Sequence, residues 1–157
     1  MELKPIGIIH SPFKELVEMP IQPSGAQGVA GQIELNFELI DGLKDLEGFS
    51  HLFVLYLFHQ VTRSRLSVTP FLDKEPHGIF ATRAPTRPNP LGLSVIALKE
   101  IRANILMVEN VDILDGTPLL DIKPYVPEFD QPAEIRTGWL QNAGEQSKIT
   151  RADQRFI

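Results

Sequence analysis

Thirteen prolines and eleven glycines spread along 157 residues leave few windows long enough for a helix. Proline lacks a backbone donor and clashes with the preceding turn, so a chain punctuated this way folds from short strands and loops. The apolar runs agree. Residues 3–9 read as a strand entering the turn His10-Ser11-Pro12. Residues 31–37 alternate Ile33, Leu35 and Phe37 against Gln32, Glu34 and Asn36, as a half-buried strand does. Residues 51–58 (HLFVLYLF), rich in aromatic and branched side chains, predict a buried strand and carry the strongest core signal. Residues 79–82, 93–101, 105–111 and 119–126 are further strand candidates, and Asp115-Gly116 before the last of them is a hairpin signal. Residues 39–47 read as a short helix, 20–31 as a loop and 61–69 as an exposed connection. The spacing predicts a mainly β domain over residues 1–132, a small barrel or sandwich with a few short helices. Residues 133–157, with the only tryptophan, Trp139, form a tail that is either a terminal helix or partly disordered.

Several chemistries drop out. Without cysteine there is no disulfide, thiolate zinc site or cysteine nucleophile. The four histidines, His10, His51, His59 and His77, include no i, i+4 pair, so no metal site is expected. Gly25, Gly28 and Gly31 follow Pro20 and Pro23 in a loop, which is not the strand-to-helix setting of a dinucleotide fold. The start carries charge early and no apolar run reaches spanning length, so a soluble, cytoplasmic protein without a membrane segment is expected.

The net charge of −5 argues against a nucleic-acid partner until it is divided along the chain. Lys plus Arg against Asp plus Glu run 3 to 8 in residues 1–58, 6 to 2 in 60–99 and 6 to 10 in 100–157. The middle third is about +4, either a solvated surface or a face for a phosphate-bearing partner.

Three segments hold side chains that can do chemistry. In residues 78–94 (GIFATRAPTRPNPLGLS), Arg83 and Arg87 sit on a frame of Pro85, Pro88 and Pro90 with Asn89 between the last two. Surface ion pairing is the ordinary use of such arginines, but a stiff frame lowers the entropic cost of presenting them to an anion. His51 and His59 bracket the central strand at opposite ends, about 26 Å apart at 3.3 Å per residue. Each is either a strand-end histidine satisfied by backbone bonds or, for His59-Gln60, a ring and an amide presented to a ligand in a barrel mouth. In residues 112–125 (DILDGTPLLDIKPY), Asp121, Lys123 and Tyr125 alternate and share one face of a strand, which is either a solvent-facing edge or an acid–base cluster in a cleft.

Together GIIHSPFK, FSHLFVLYLFHQ, GIFATRAPTRPNPLGLS and VDILDGTPLLDIKPY resemble, in order, the blocks of the TrmO (TsaA-like) tRNA methyltransferases, over about residues 4–130. The resemblance implies a β-barrel methyltransferase dependent on S-adenosylmethionine, unlike the Rossmann-type enzymes. It further implies a homodimer acting on tRNA, at N6 of the threonylcarbamoyladenosine 3′ of the anticodon. Carried over, it assigns the cofactor to Pro23-Ser24-Gly25, His59-Gln60, Arg83, Leu93 and Asp115-Gly116-Thr117. Arg87 and Asn89 are then expected at the substrate, with the basic segment on the anticodon arm, and Asp121, Lys123 and Tyr125 in acid–base and orienting roles. The resemblance implies a short form, without the additional C-terminal domain of longer members. A methyltransferase of another substrate and a non-catalytic cofactor-binding regulatory module are the alternatives.

Overall fold

The computed structural model describes residues 2–17, 19–143 and 145–156. Six strands close into an antiparallel barrel in the order β1-β2-β7-β6-β3-β8. They are β1 (Gly7–His10), β2 (Ala30–Leu35), β3 (His51–Leu57), β6 (Leu91–Arg102), β7 (Ile105–Glu109) and β8 (Thr117–Pro124). A two-stranded ribbon, β4 (Ser67–Val68) with β5 (His77–Gly78), stands outside it. No helix among the described residues is long and apolar enough to cross a membrane.

Period-two alternation decides the barrel's inside. Register pairs Ile9 with Ile33, Ile33 with Leu106, and Ile96 with Leu52. These side chains, with Val54, Val108 and Leu119, are buried and fill the barrel. The segment after β7 adds Val111 and Ile113 to the same core. Closure leaves the six barrel strands without a free edge for pairing with another chain.

Several details differ from expectation. Phe37 does not continue the inward face of β2: it begins a 3₁₀ turn, Phe37–Leu43, and is exposed. The helix expected over 39–47 is that turn and a second one, Leu46–Gly48. Ile79–Ala81 is a 3₁₀ turn, not a strand, because the ribbon hands over there to the proline-rich loop. Asp115-Gly116 joins no hairpin, since β7 and β8 are not neighbours in the barrel. Gly116, at φ +74°, instead turns the chain into β8, and its amide donates to Ile9 O at 2.9 Å.

The tail folds back along the body in short turns. Trp139 Nε1 donates to Ala81 O at 2.8 Å, and its ring stacks on His77 at 4.5 Å. Ala152 N donates to Met19 O at 2.8 Å, and Phe156 meets Phe71 edge-on.

Candidate active site

A cavity of about 870 Å³ opens at the barrel end where β3 finishes and β6 and β8 begin. Its base is built from inward positions of the barrel itself. Tyr56 on β3 lies opposite Gly92 on β6, and a Cβ at Gly92 would overlap the Tyr56 ring, so glycine is what lets the ring lie flat there. Ser94, two residues on, faces the same way. Asp112 reaches the base from the segment between β7 and β8.

These three side chains form one hydrogen-bonded line. Ser94 Oγ donates to Asp112 Oδ1 at 2.8 Å, and Tyr56 Oη lies 3.1 Å from Ser94 Oγ. The serine's single proton is engaged by the carboxylate, so Tyr56 is the donor in the second bond. Burial pushes the Asp112 carboxyl up to about 6, with the Ser94 bond and the charge of Arg83 acting the other way. Burial, then the negative charge of Asp112, also raises the Tyr56 phenol, so it stays protonated. Asp112 is therefore an acid that changes charge near neutrality inside a ligand-sized cavity, a combination characteristic of functional groups.

Loops supply the walls. Pro23 and Ser24 stand on one side, His59 and Gln60 on another, with Thr82, Arg83 and Pro85 beyond them. Leu93 is half-exposed at the rim, and Thr117 lies at the start of β8. Trp139, Leu140 and Phe156 of the tail complete the enclosure. Of the residues expected from sequence, the structure thus brings together Pro23, Ser24, His59, Gln60, Arg83, Leu93, Thr117 and Arg87.

The other expected residues stand elsewhere. Gly25 packs beneath the short helix Gln146–Ile149, where an added Cβ would lie 3.1 Å from Lys148 O. Asp115 accepts from Ser11 N at 3.0 Å and from Lys14 Nζ at 2.5 Å, bonds that hold its carboxyl below the usual range. It braces the turn, and the Gly116 amide is already engaged in the barrel. Asn89 lies outside the cavity lining. Asp121 and Lys123 do share a face, joined at 2.9 Å, but a bulge opposite Leu55–Tyr56 leaves Ile122 opposite Val54 and that pair outside the barrel. Tyr125 follows them, edge-on to Phe53 and bonded to Gln131 Nε2 at 2.8 Å. Arg87 turns inward, donating to Thr82 O at 2.7 Å and Ile79 O at 3.1 Å, and so holds the loop together.

Sequence reasoning missed Tyr56, Ser94 and Asp112. The available signal was polarity at an inward position: Ser94 shares the parity of buried Ile96, Tyr56 that of Leu52 and Val54, and Asp112 stands between Val111 and Ile113.

A closed antiparallel barrel with an enclosed, mostly apolar-walled cavity and a titratable line at its base defines a ligand-binding β-barrel outside the Rossmann class. Residues 8–131 match the model of the tRNA-methyltransferase O N-terminal domain, and the chain belongs to that family. It is 54% identical over 98% of its length to a probable S-adenosyl-L-methionine-binding protein of Pyrococcus abyssi, covering 84% of that protein. It is 36% identical over 90% of its length to the tRNA (adenine(37)-N6)-methyltransferase of Escherichia coli, covering 65% of it. The crystal structure of TrmO from Pseudomonas aeruginosa superposes with a TM-score of 0.74 at 41% identity, over 88% of this chain and 62% of that one. The chain therefore spans less than two thirds of both the Escherichia coli and the Pseudomonas aeruginosa proteins.

Proposed function

We propose that this protein is an S-adenosylmethionine-dependent methyltransferase acting on tRNA, at N6 of the threonylcarbamoyladenosine beside the anticodon. The observation that carries the reading is the cavity at the barrel mouth, in a chain whose relatives are named for binding this cofactor and for methylating tRNA adenine. The residues present suit the cofactor. Leu72, Leu93 and Leu140 offer apolar wall, Ser24 and Gln60 hydrogen bonds, Arg83 a partner for a carboxylate, and Asp112 negative charge for a cationic centre. Residues 1–132 then form the catalytic barrel, with 133–157 as an appended wall. A homodimer and a cytoplasmic site of action accompany this reading through the family resemblance.

When bound, S-adenosylmethionine supplies an electrophilic methyl group, and transfer to a nitrogen depends chiefly on alignment. Ser24, Gln60 and Arg83, on three separate loops, would orient the cofactor for that alignment. An N6 bearing a carbamoyl group is a weak nucleophile until it sheds its proton. Asp112, at the base of the cavity, accepts that proton in the place first expected of Asp121 or Tyr125. Ser94 and Tyr56 hold the carboxylate in position. With the cofactor bound, its methyl group would pass to that nitrogen and the nitrogen's proton would go to the Asp112 carboxylate.

The test incubates the protein with methyl-labelled S-adenosylmethionine and tRNA carrying or lacking the threonylcarbamoyl group, followed by nucleoside mass spectrometry. A methylated threonylcarbamoyladenosine only from the modified pool is expected. Transfer to neither pool overturns the reading. Cofactor binding without transfer would then leave the non-catalytic regulatory module.

A further inference from the structure

Many of the cations on this chain are neutralised by a neighbour. Lys14, Lys99, Arg102, Lys123, Lys148 and Arg155 each lie within ion-pair distance of a carboxylate. Arg83, in the cavity wall, and Arg63 and Arg65, on the segment that follows β3, are exposed and make no ion pair among the described residues. Backbone bonds bring the two segments together. Arg65 N donates to Thr86 O and Ile79 N to Leu66 O, both at 2.9 Å, so residues 63–66 run beside the loop that carries Arg83.

Phe80 is 76% exposed, in a 3₁₀ turn one residue from the Thr82–Arg83 wall of the cavity. The Arg87 guanidinium, fixed by its two carbonyl acceptors, lies 5.9 Å from the centre of the ring. An exposed phenylalanine on a rigid turn contributes nothing to the core. With a guanidinium behind it and arginines without an ion pair on its own loop and on the adjoining segment, it has the composition of a stacking platform for single-stranded nucleic acid.

We propose that Phe80 stacks on a nucleobase adjoining the one presented to the cavity, while Arg63 and Arg65 hold phosphates of the same RNA loop. This rests on the tRNA reading above and assigns it a surface. The occupant is an RNA loop because residues 60–99, which carry Phe80, hold 6 Lys and Arg against 2 Asp and Glu in a chain of net charge −5, and every base offers a π-face to a ring. The role first expected of Arg87 toward substrate passes to Phe80, which Arg87 supports.

The test measures binding of a fluorescently labelled anticodon stem-loop RNA across a range of salt concentrations. The proteins compared are the wild type, Phe80→Ala, Phe80→Trp and the double variant Arg63→Ala/Arg65→Ala. Phe80→Ala should weaken binding about tenfold or more, and Phe80→Trp should restore it. The arginine double variant should lower the slope of log affinity against log salt by about 1.4, the value for two single-strand phosphates. Calorimetric affinity for S-adenosylmethionine should be the same in all four, which also shows that each is folded. If the wild type binds RNA and the variants bind it equally well, the surface is wrong and the tRNA reading stands. If the wild type binds no RNA, both fall. A change in sedimentation coefficient for Phe80→Ala, with RNA affinity retained, makes this face a contact between copies of the chain and overturns the proposal.

Discussion

Replacing Asp112 with asparagine should make the protein more stable above neutrality and remove part of its pH dependence. Burial is the largest influence on the Asp112 carboxyl, raising it from 3.8 to about 6. At 1.36 kcal/mol per pH decade that gap corresponds to about 3 kcal/mol. The sign follows from which state holds the proton. Between about pH 4 and 6 the unfolded chain has released it while the folded protein retains it, so this stabilising contribution is complete below the unfolded value. It is lost as pH rises through the folded one. Asp73, Asp115, Asp153 and Glu100, held below their usual range by hydrogen bonds and nearby cations, act in the opposite direction, losing stability as pH falls. The difference between variant and wild type isolates Asp112. The amide introduced by Asp112→Asn keeps an oxygen to accept from Ser94 and carries no charge at any pH in the range. Urea denaturation at steps from about pH 4 to pH 8 should show the variant gaining on the wild type by up to about 3 kcal/mol, with most of the change before pH 7. A difference that is flat across this range, or a variant less stable than wild type at pH 8, refutes the argument that burial of this carboxyl is uncompensated. Single-turnover methyl transfer by the wild type should rise through about pH 6 and then level, and Asp112→Asn should lose that step.

Tyr56→Phe removes the donor to Ser94 and should cost about 1 kcal/mol in thermal or chemical denaturation. Thr86 is buried, and its Oγ1 has no hydrogen-bond partner among the described residues; Thr86→Val should be neutral or stabilising by about 1 kcal/mol in the same assay. Gly92→Ala drives a methyl group into the Tyr56 ring and should destabilise by about 1–3 kcal/mol while weakening cofactor binding in calorimetry. Trp139→Ala removes the stack on His77 and the bond to Ala81 O, so limited proteolysis should cut the tail faster than in the wild type.

Much of the barrel was legible because it rests on local alternation. The inward set Ile33 and Leu35 follows directly from period two, whereas the continuous apolar run of β3 marked a buried strand without showing that Leu52, Val54 and Tyr56 are the residues that face in. Boundaries failed where a turn overrode the pattern, at Phe37 and at Ile79–Ala81. The site was legible in part. Pro23, Ser24, His59, Gln60, Arg83 and Leu93 entered through resemblance to a family, and the cavity does gather them. The cluster Asp121, Lys123 and Tyr125 was sound as an alternation but gave no means of choosing the inner or outer face, because the bulge in β8 is a property of pairing with β3.

By itself, then, the sequence determined a proline- and glycine-punctuated β domain, a basic middle third in an acidic chain, and the family to which its motifs belong. These depend on residue type and near-neighbour spacing alone. Tertiary structure alone decided which polar groups meet. Tyr56, Ser94 and Asp112 come from three separate segments and form one line only when β3 pairs with β6 and the chain between β7 and β8 crosses the barrel end. It also turned Arg87 inward to two carbonyls and left Phe80 outside, since burial and hydrogen-bond partners are set by what the fold packs nearby. A charge in a sequence has no environment, and it is the environment that makes Asp112 an acid near neutrality.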